Sequence, residues 1–215
     1  DKIFVTGNTV VDTVQNIRDQ FGCAENLMAQ YASKFSFLNP DSRWVLVTGH
    51  RRESFGPGIE SICHAIKEIV KKHDDVEVIY PVHLNPKVRD VVYDILGNSI
   101  TSNKRIHLTD PLDYFSFVYL MTQSYMIMTD SGGIQEESPS LGIPLLIMRD
   151  VTERPEAVES GCALLVGVDR ENIVREVEKL LMDVIHHRAM SKARNPFGDG
   201  QAGRRIVKIL SEVKW

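Results

Sequence analysis

The chain has 215 residues, 43% apolar and 25% charged, with a formal net charge of −4. That size and balance suit one large α/β domain with a sizeable core and are tight for two. A mildly acidic chain has no global attraction for nucleic acid or an anionic membrane, and no apolar run approaches bilayer-crossing length, so any anion must be held locally.

Taken in order, Ile3 to Thr6 reads as a short strand, and Gly7-Asn8-Thr9 turns into a helix from about Val10 to Asp19, with Asn8 or Thr9 as its cap. Starting on a strand-like run without Met or a polar lead-in, the sequence reads as a piece of a longer chain, with residues 1–8 a crossover from a preceding domain. Glu25 to Phe35 is a second helix, and Asn39-Pro40-Asp41-Ser42 a turn. Trp44 to Thr48 is a continuous apolar run, as in a parallel strand buried on both faces. Gly49-His50-Arg51-Arg52-Glu53 follows it directly. Ile59 to Lys72 places Ile62, Ala65, Ile66, Ile69 and Val70 on one helical face. Val76 to Tyr80 is a strand, and His83-Leu84-Asn85-Pro86 opens a helix from Lys87 to Leu96. Asn98 to Lys104 reads as a polar loop, Ile106 to Leu108 as a strand, and Tyr114 to Thr122 as a helix after Asp110-Pro111.

The stretch Asp130 to Glu156, entered through apolar Tyr125 to Met128, is the organising one. It reads as strand, glycine turn, helix, strand, basic loop and a further helix. Ile134 to Leu141 is the first of those helices, Gly142-Ile143-Pro144 stops it, Leu145 to Met148 is a short strand, and Arg149 to Pro155 the charged loop. Ala163 to Val166 is another strand and Ile173 to Met182 another helix. The helix Ala202 to Val213 closes the chain after Asn195-Pro196-Phe197-Gly198-Asp199-Gly200. Strands alternating with helices at this spacing predict a doubly wound, mainly parallel sheet with helices on both faces.

Ligands of such sheets bind beyond the carboxyl ends of the strands, and five polar clusters fall there: Gly49 to Glu53, His83, Asp110-Pro111, Ser131 to Gly133 and Arg149 to Arg154. Ser131-Gly132-Gly133 lies between a strand and a helix. Paired glycines let a ligand approach the backbone, and the unpaired N–H groups of the helix start suit a phosphate, although the same residues would also serve a plain capped connection. Arg149, Arg154 and His50 add positive groups for a second phosphate. A carboxylate one turn into the helix, Glu136 or Glu137, is placed for sugar hydroxyls, and Glu137 could take two from a ribose. One of Phe115 and Phe117 could lie flat on a base while the other fills the core. His50 could donate to a phosphate oxygen or act as a general acid, and His83 could serve the site or only the turn before Pro86. With no GxGxxG and no Walker A sequence, a nucleoside diphosphate attached to a sugar fits better than a dinucleotide or ATP. The spacing of Cys23, Cys63 and Cys162 supports no zinc site, and Cys63 and Cys162 are expected to be buried free thiols in a reducing cytoplasm.

Gly49-His50-Arg51-Arg52-Glu53, Tyr80-Pro81-Val82-His83-Leu84-Asn85-Pro86, Thr129 to Glu137 and Thr152-Glu153-Arg154-Pro155-Glu156 closely resemble the bacterial non-hydrolysing UDP-N-acetylglucosamine 2-epimerases. Gly7-Asn8-Thr9-Val10-Val11-Asp12 and Asn195 to Gly200 match too. The resemblance spans the chain but covers only the second half of such an enzyme. It implies the C-terminal, UDP-binding, Rossmann-like half of a glycosyltransferase-B-like fold, whose substrate lies between two domains. It further implies that Ser131, Gly132 and Gly133 hold the diphosphate, Glu137 the ribose, and Phe117 with the backbone near Leu112 the uracil. Arg154 and His50 would face the phosphates and sugar, His50 nearest the reacting centre. Positions matching Arg51 and His83 help form an allosteric site in relatives that have one. Leu112 departs from relatives with Gln there, so only a backbone contact is left.

The family reaction, interconversion of UDP-N-acetylglucosamine and UDP-N-acetylmannosamine for cell-surface polysaccharide precursors, eliminates UDP to 2-acetamidoglucal and adds it back with the proton on the other face. The resemblance implies that the carboxylates moving that proton lie in the other half, and that a full-length homodimer needs no cofactor or metal. It implies no nucleic-acid or membrane partner. A hydrolysing epimerase, a non-catalytic nucleotide-sugar-binding module and a general transferase of the same fold are the alternatives.

Overall fold

Six short apolar runs form a single parallel sheet in the order β3-β2-β1-β4-β5-β6. The strands are β1 (Arg43–Thr48), β2 (Val76–Pro81), β3 (Ile106–Thr109), β4 (Met126–Thr129), β5 (Leu145–Ile147) and β6 (Ala163–Leu165). The computed structural model describes residues 3–102 and 104–212. The expected doubly wound sheet is therefore present, and its described strand pairings are all parallel. Its strand order reverses between β1 and β4, where Thr48 lies opposite Thr129. Their carboxyl ends diverge into different loops, and the crevice between them is where a ligand can enter such a sheet.

The pleat assigns each strand residue to one of two cores. Val45, Val47, Val78, Tyr80, Met126 and Met128 face one core, while Leu46, Ile79, Ile127, Leu145 and Ile147 face the other. All are essentially fully buried, which is why these strands carry apolar residues without alternation. The first face is covered by α3 (Pro57–Lys72), α4 (Pro86–Ser102) and α8 (Arg170–Met182). The second is covered by α1 (Thr9–Cys23), α2 (Glu25–Lys34), α5 (Tyr114–Gln123) and α6 (Gly132–Leu141). Short α7 (Pro155–Glu159), α9 (Val184–Ser191) and the closing α10 (Ala202–Glu212) complete the described helices. Helix α3 presents Ile59, Ile62, Ala65, Ile66, Ile69 and Val70 to the sheet at the expected spacing. Each such aliphatic side chain contributes about 1.5–3 kcal/mol on burial, so register at the centre of the sheet is set by the core.

The two outer sequence motifs dock on each other. Asn8 caps α1 by accepting from the Val10 N–H at 3.0 Å, while its own N–H donates to the Phe197 carbonyl at 3.1 Å. Asp12, in the first turn of α1, accepts from the N–H groups of Ala202 and Gly203 at 3.1 and 2.8 Å and so caps α10 from another helix. Arg205 closes the arrangement with two bonds to Asp199 at 2.7 and 2.6 Å.

Three sequence expectations are corrected. Ile3 to Thr6 forms no strand: residues 3–8 belong to no ladder, and Ile3 and Val5 are 89% and 98% exposed, because no neighbouring strand among the described residues offers them hydrogen bonds. Residues 98–102 are helical rather than a loop: they continue α4, which Val88, Val92 and Leu96 anchor to the first core. Helix α9 was not foreseen; Asp183 starts it by accepting from the His186 N–H at 2.9 Å. The Val213 end of the closing helix lies outside the described residues. Cys63 and Cys162 are buried free thiols, and burial pushes the Cys63 thiol up to about 12, so it is inert as a nucleophile.

Candidate functional site

The site begins with the turn from β4 into α6. Ser131 occupies the cap position, yet its side chain makes no capping hydrogen bond. Its N–H instead donates to Thr129 Oγ1 at 3.0 Å, so the turn is fixed by the residue before it. The Ser131 hydroxyl is thus not spent on capping α6, whose first N–H groups are those a helix start leaves without intrahelical partners. Gly132 is buried beneath two guanidinium groups. A Cβ there would stand 3.2 Å from Arg154 Cζ and 3.4 Å from an Arg51 terminal nitrogen. Gly133 is different: a Cβ there would meet nothing nearer than Ser131 Oγ at 3.9 Å, so its outer side is open. Two cations over the positive end of one helix repel each other and the helix. Such a cluster is stabilised by an anion.

Carboxylates aim those cations. Glu136 accepts from Arg154 Nε at 2.8 Å and, through its other oxygen, from Asn8 Nδ2 at 2.7 Å. Thr152 Oγ1 accepts from the Arg154 N–H at 3.0 Å and donates to buried Gln135 on α6, tying the β5–α7 loop to the helix. Arg149 does not reach the turn. It is 7% exposed and held by Glu53 and Glu153, and the guanidinium holds Glu153 down to about 2. The cations over Gly132 are therefore Arg154 and Arg51, with Arg149 bracing the loop.

Asp130 sits at the switch point between β1 and β4 and is fully buried. Its Oδ2 accepts from the N–H groups of both His50 and Arg51 at 2.7 Å, clamping the β1 loop to the β4 turn. The imidazole of His50 stacks on that of His83, with centroids 5.2 Å apart and planes 14° from parallel. The ends of β1, β2 and β4 thus meet in one cluster, and the guanidinium from the β5 loop joins it at Gly132.

Glu137 points elsewhere on the same helix. It is 8% exposed and accepts from the Tyr114 hydroxyl at 2.8 Å. Burial raises its carboxyl above the usual range, the Tyr114 bond opposes that, and nearby Glu136 adds to it. Phe117 and Leu112 are half-buried against the second core, and Phe115 is more exposed. The structure gathers the sequence-expected Ser131, Gly132, Gly133, Arg154 and His50 at one turn and sets Glu137 apart against Tyr114; Asp130 as a clamp, Glu136 as a link and Tyr114 as a partner of Glu137 were not foreseen. An acidic residue directly before the glycine turn is the one signal that could have flagged Asp130.

A doubly wound parallel sheet with its polar loops gathered at the switch point defines a Rossmann-like α/β protein of the glycosyltransferase-B fold. A crystal structure of the C-terminal domain of a glycosyl transferase group 1 family protein from Francisella tularensis shares that fold, with a TM-score of 0.61 at 15% identity over 89% of this chain and 95% of that one. The profile of the family described as UDP-N-acetylglucosamine 2-epimerase matches residues 1–211, and the chain belongs to that family. It is 53% identical over 209 residues to the UDP-N-acetylglucosamine 2-epimerase of Escherichia coli (strain K12), covering 97% of this chain and 54% of that protein. It is similar to the crystal structure of UDP-GlcNAc 2-epimerase from Neisseria meningitidis bound to UDP-GlcNAc, with a TM-score of 0.91 and 41% identity over 99% of this chain and 56% of that one. The chain spans about half the length of the curated relatives it matches.

Proposed function

We propose that the chain is the C-terminal, UDP-binding half of a non-hydrolysing UDP-N-acetylglucosamine 2-epimerase, and that its rim holds the diphosphate as it departs and returns. The observation that carries this reading is the pair of guanidinium groups, Arg154 and Arg51, over Gly132 at an uncapped helix tip. In an elimination the C1–O bond breaks and negative charge grows on the diphosphate. Preformed N–H donors and fixed cations stabilise that charge more than they stabilise the intact substrate. Ser131, Gly132, Gly133, Arg154 and His50 supply those donors. Glu137 takes the ribose hydroxyls, and Phe117 with the Leu112 backbone takes the uracil. The proton at C2 is moved by carboxylates outside this chain. A full-length cytoplasmic homodimer supplying cell-surface polysaccharide precursors accords with this reading.

The direct test is calorimetric titration of this chain with UDP. Wild type binds, and Ser131→Ala binds more weakly by about 1–3 kcal/mol, the size of a lost hydrogen bond to a charged group. Equal affinity of the two proteins would remove the helix tip from the phosphate site.

A further inference from the structure

Asp130 carries an uncommitted atom. Its Oδ2 is engaged twice, but the buried Oδ1 has no hydrogen-bond partner among the described residues. The protonatable His50 Nδ1 stands 3.5 Å from it. A fully buried carboxylate oxygen without a donor is costly, and only a group that can bring it a proton relieves it. His50 is also the member of the stacked pair that can do so. His83 Nδ1 already accepts from the Asn85 N–H at 3.1 Å, so protonation there would break an existing bond. Two stacked imidazoles 5.2 Å apart disfavour both being charged, and the anion lies beside only one of them.

From this geometry we infer that Asp130 is a positioning residue for the reaction proposed above: its Oδ1 takes the His50 Nδ1–H, fixes that tautomer, and turns Nε2 toward the bound diphosphate. The inference rests on that functional reading. With Nδ1–H committed to Asp130, a neutral His50 presents a lone pair at Nε2. A diphosphate oxygen repels a lone pair, so nucleotide binding draws a proton onto Nε2. The resulting imidazolium lies between a fixed carboxylate behind and an anion in front. The other charged groups of the cluster are Arg51 on its own loop and Arg154 and Glu153 from the β5 loop, and the other titratable ring is His83 from the β2 loop. Glu153 lies 3.7 Å from Arg51 and partly offsets it, and the Tyr80 hydroxyl is committed to the Gly49 carbonyl at 3.3 Å. Asp130 thereby links two tasks: its Oδ2 sets where the loop lies, and its Oδ1 sets which ring nitrogen carries the exchangeable proton.

The test uses Asp130→Asn. The amide oxygen still accepts from the two loop N–H groups, while an NH2 donor replaces the oxygen facing Nδ1. Nitrogen-15 NMR of the histidine rings of this chain is expected to show neutral His50 as the Nδ1–H tautomer in wild type and the Nε2–H tautomer in Asp130→Asn. Calorimetry with UDP-N-acetylglucosamine, whose diphosphate does not titrate near neutral pH, in buffers of different ionisation enthalpy is expected to show proton uptake on binding by wild type. That uptake is lost in the variant, and affinity falls by roughly tenfold, the ordinary size of one ionic hydrogen bond. A wild-type Nε2–H tautomer overturns the inference without any variant, which covers the case in which Asp130→Asn does not fold. So does an unchanged tautomer in the variant, or wild-type binding without proton uptake; in each case UDP binding, and with it the functional reading, still stands. If neither protein binds the nucleotide sugar or UDP, the functional reading falls and this role falls with it.

Discussion

At the scale of single residues, Glu137 is a carboxylate kept at a cost to the fold, as the ribose-binding role proposed for it would require. The chain keeps a carboxylate 8% exposed, with a tyrosine hydroxyl donating to it and a second glutamate beside it. Burial raises its carboxyl, so the charged form is the disfavoured one in the folded state. The penalty is absent below the ordinary glutamate range near 4.3, where the group is protonated both folded and unfolded. It grows as pH rises through the folded-state value and is complete beyond it. Glu137→Gln keeps an acceptor for Tyr114 and removes the charge. It is expected to be more stable than wild type at pH 7 by about 0.5–2 kcal/mol, a gain that fades toward pH 4, while UDP binding weakens. Thermal melts at the two pH values check this, and a variant less stable than wild type at pH 7 would show that the carboxylate serves the fold instead. Much of this site was legible from residue types: glycines after a strand, and a glutamate one turn on. Which arginine reaches the turn was not legible. Arg149 and Arg154 share one charged loop, and only the placement of Glu53 and Glu153 in space removes Arg149.

Among elements, the strands were legible almost to the residue because their core faces are uninterrupted. Segments without a core-facing stripe were not. Ile3 to Thr6 has strand composition and no partner, and α9 is too short to show a period. The polar end of α4 looks like a loop because the last turn of a helix and a loop draw on the same residue types. The docking of Gly7 to Asp12 against Asn195 to Gly203 was invisible for another reason. It joins residues about 190 apart through backbone N–H groups, which leave no mark in a hydrophobic pattern. Asp12 is the test of that junction. Asp12→Ala leaves two N–H groups of α10 uncapped and is expected to cost about 1 kcal/mol. Hydrogen exchange should show the loss confined to residues 202–212 while the central strands keep their protection. Uniform loss across the sheet would mean that Asp12 supports the whole domain.

For the whole molecule, the candidate site lies on the rim formed by the carboxyl ends of the parallel strands, where the Ser131 turn, Arg154 and Arg51 come together. In the reading proposed above, the carboxylates that move the C2 proton lie outside this chain. A coupled assay with this chain alone is therefore expected to show no epimerase turnover even at saturating UDP-N-acetylglucosamine, and measurable turnover would refute the division of labour proposed above. One carboxylate carries a consequence for such a divided enzyme. Glu136 is held by Asn8, at the doorway through which the chain enters its first helix, and by Arg154, which leans over the glycine turn. Under the function proposed above, a shift of that doorway passes through Glu136 to the guanidinium, so the grip on the nucleotide and the posture of residues 3–8 are expected to vary together.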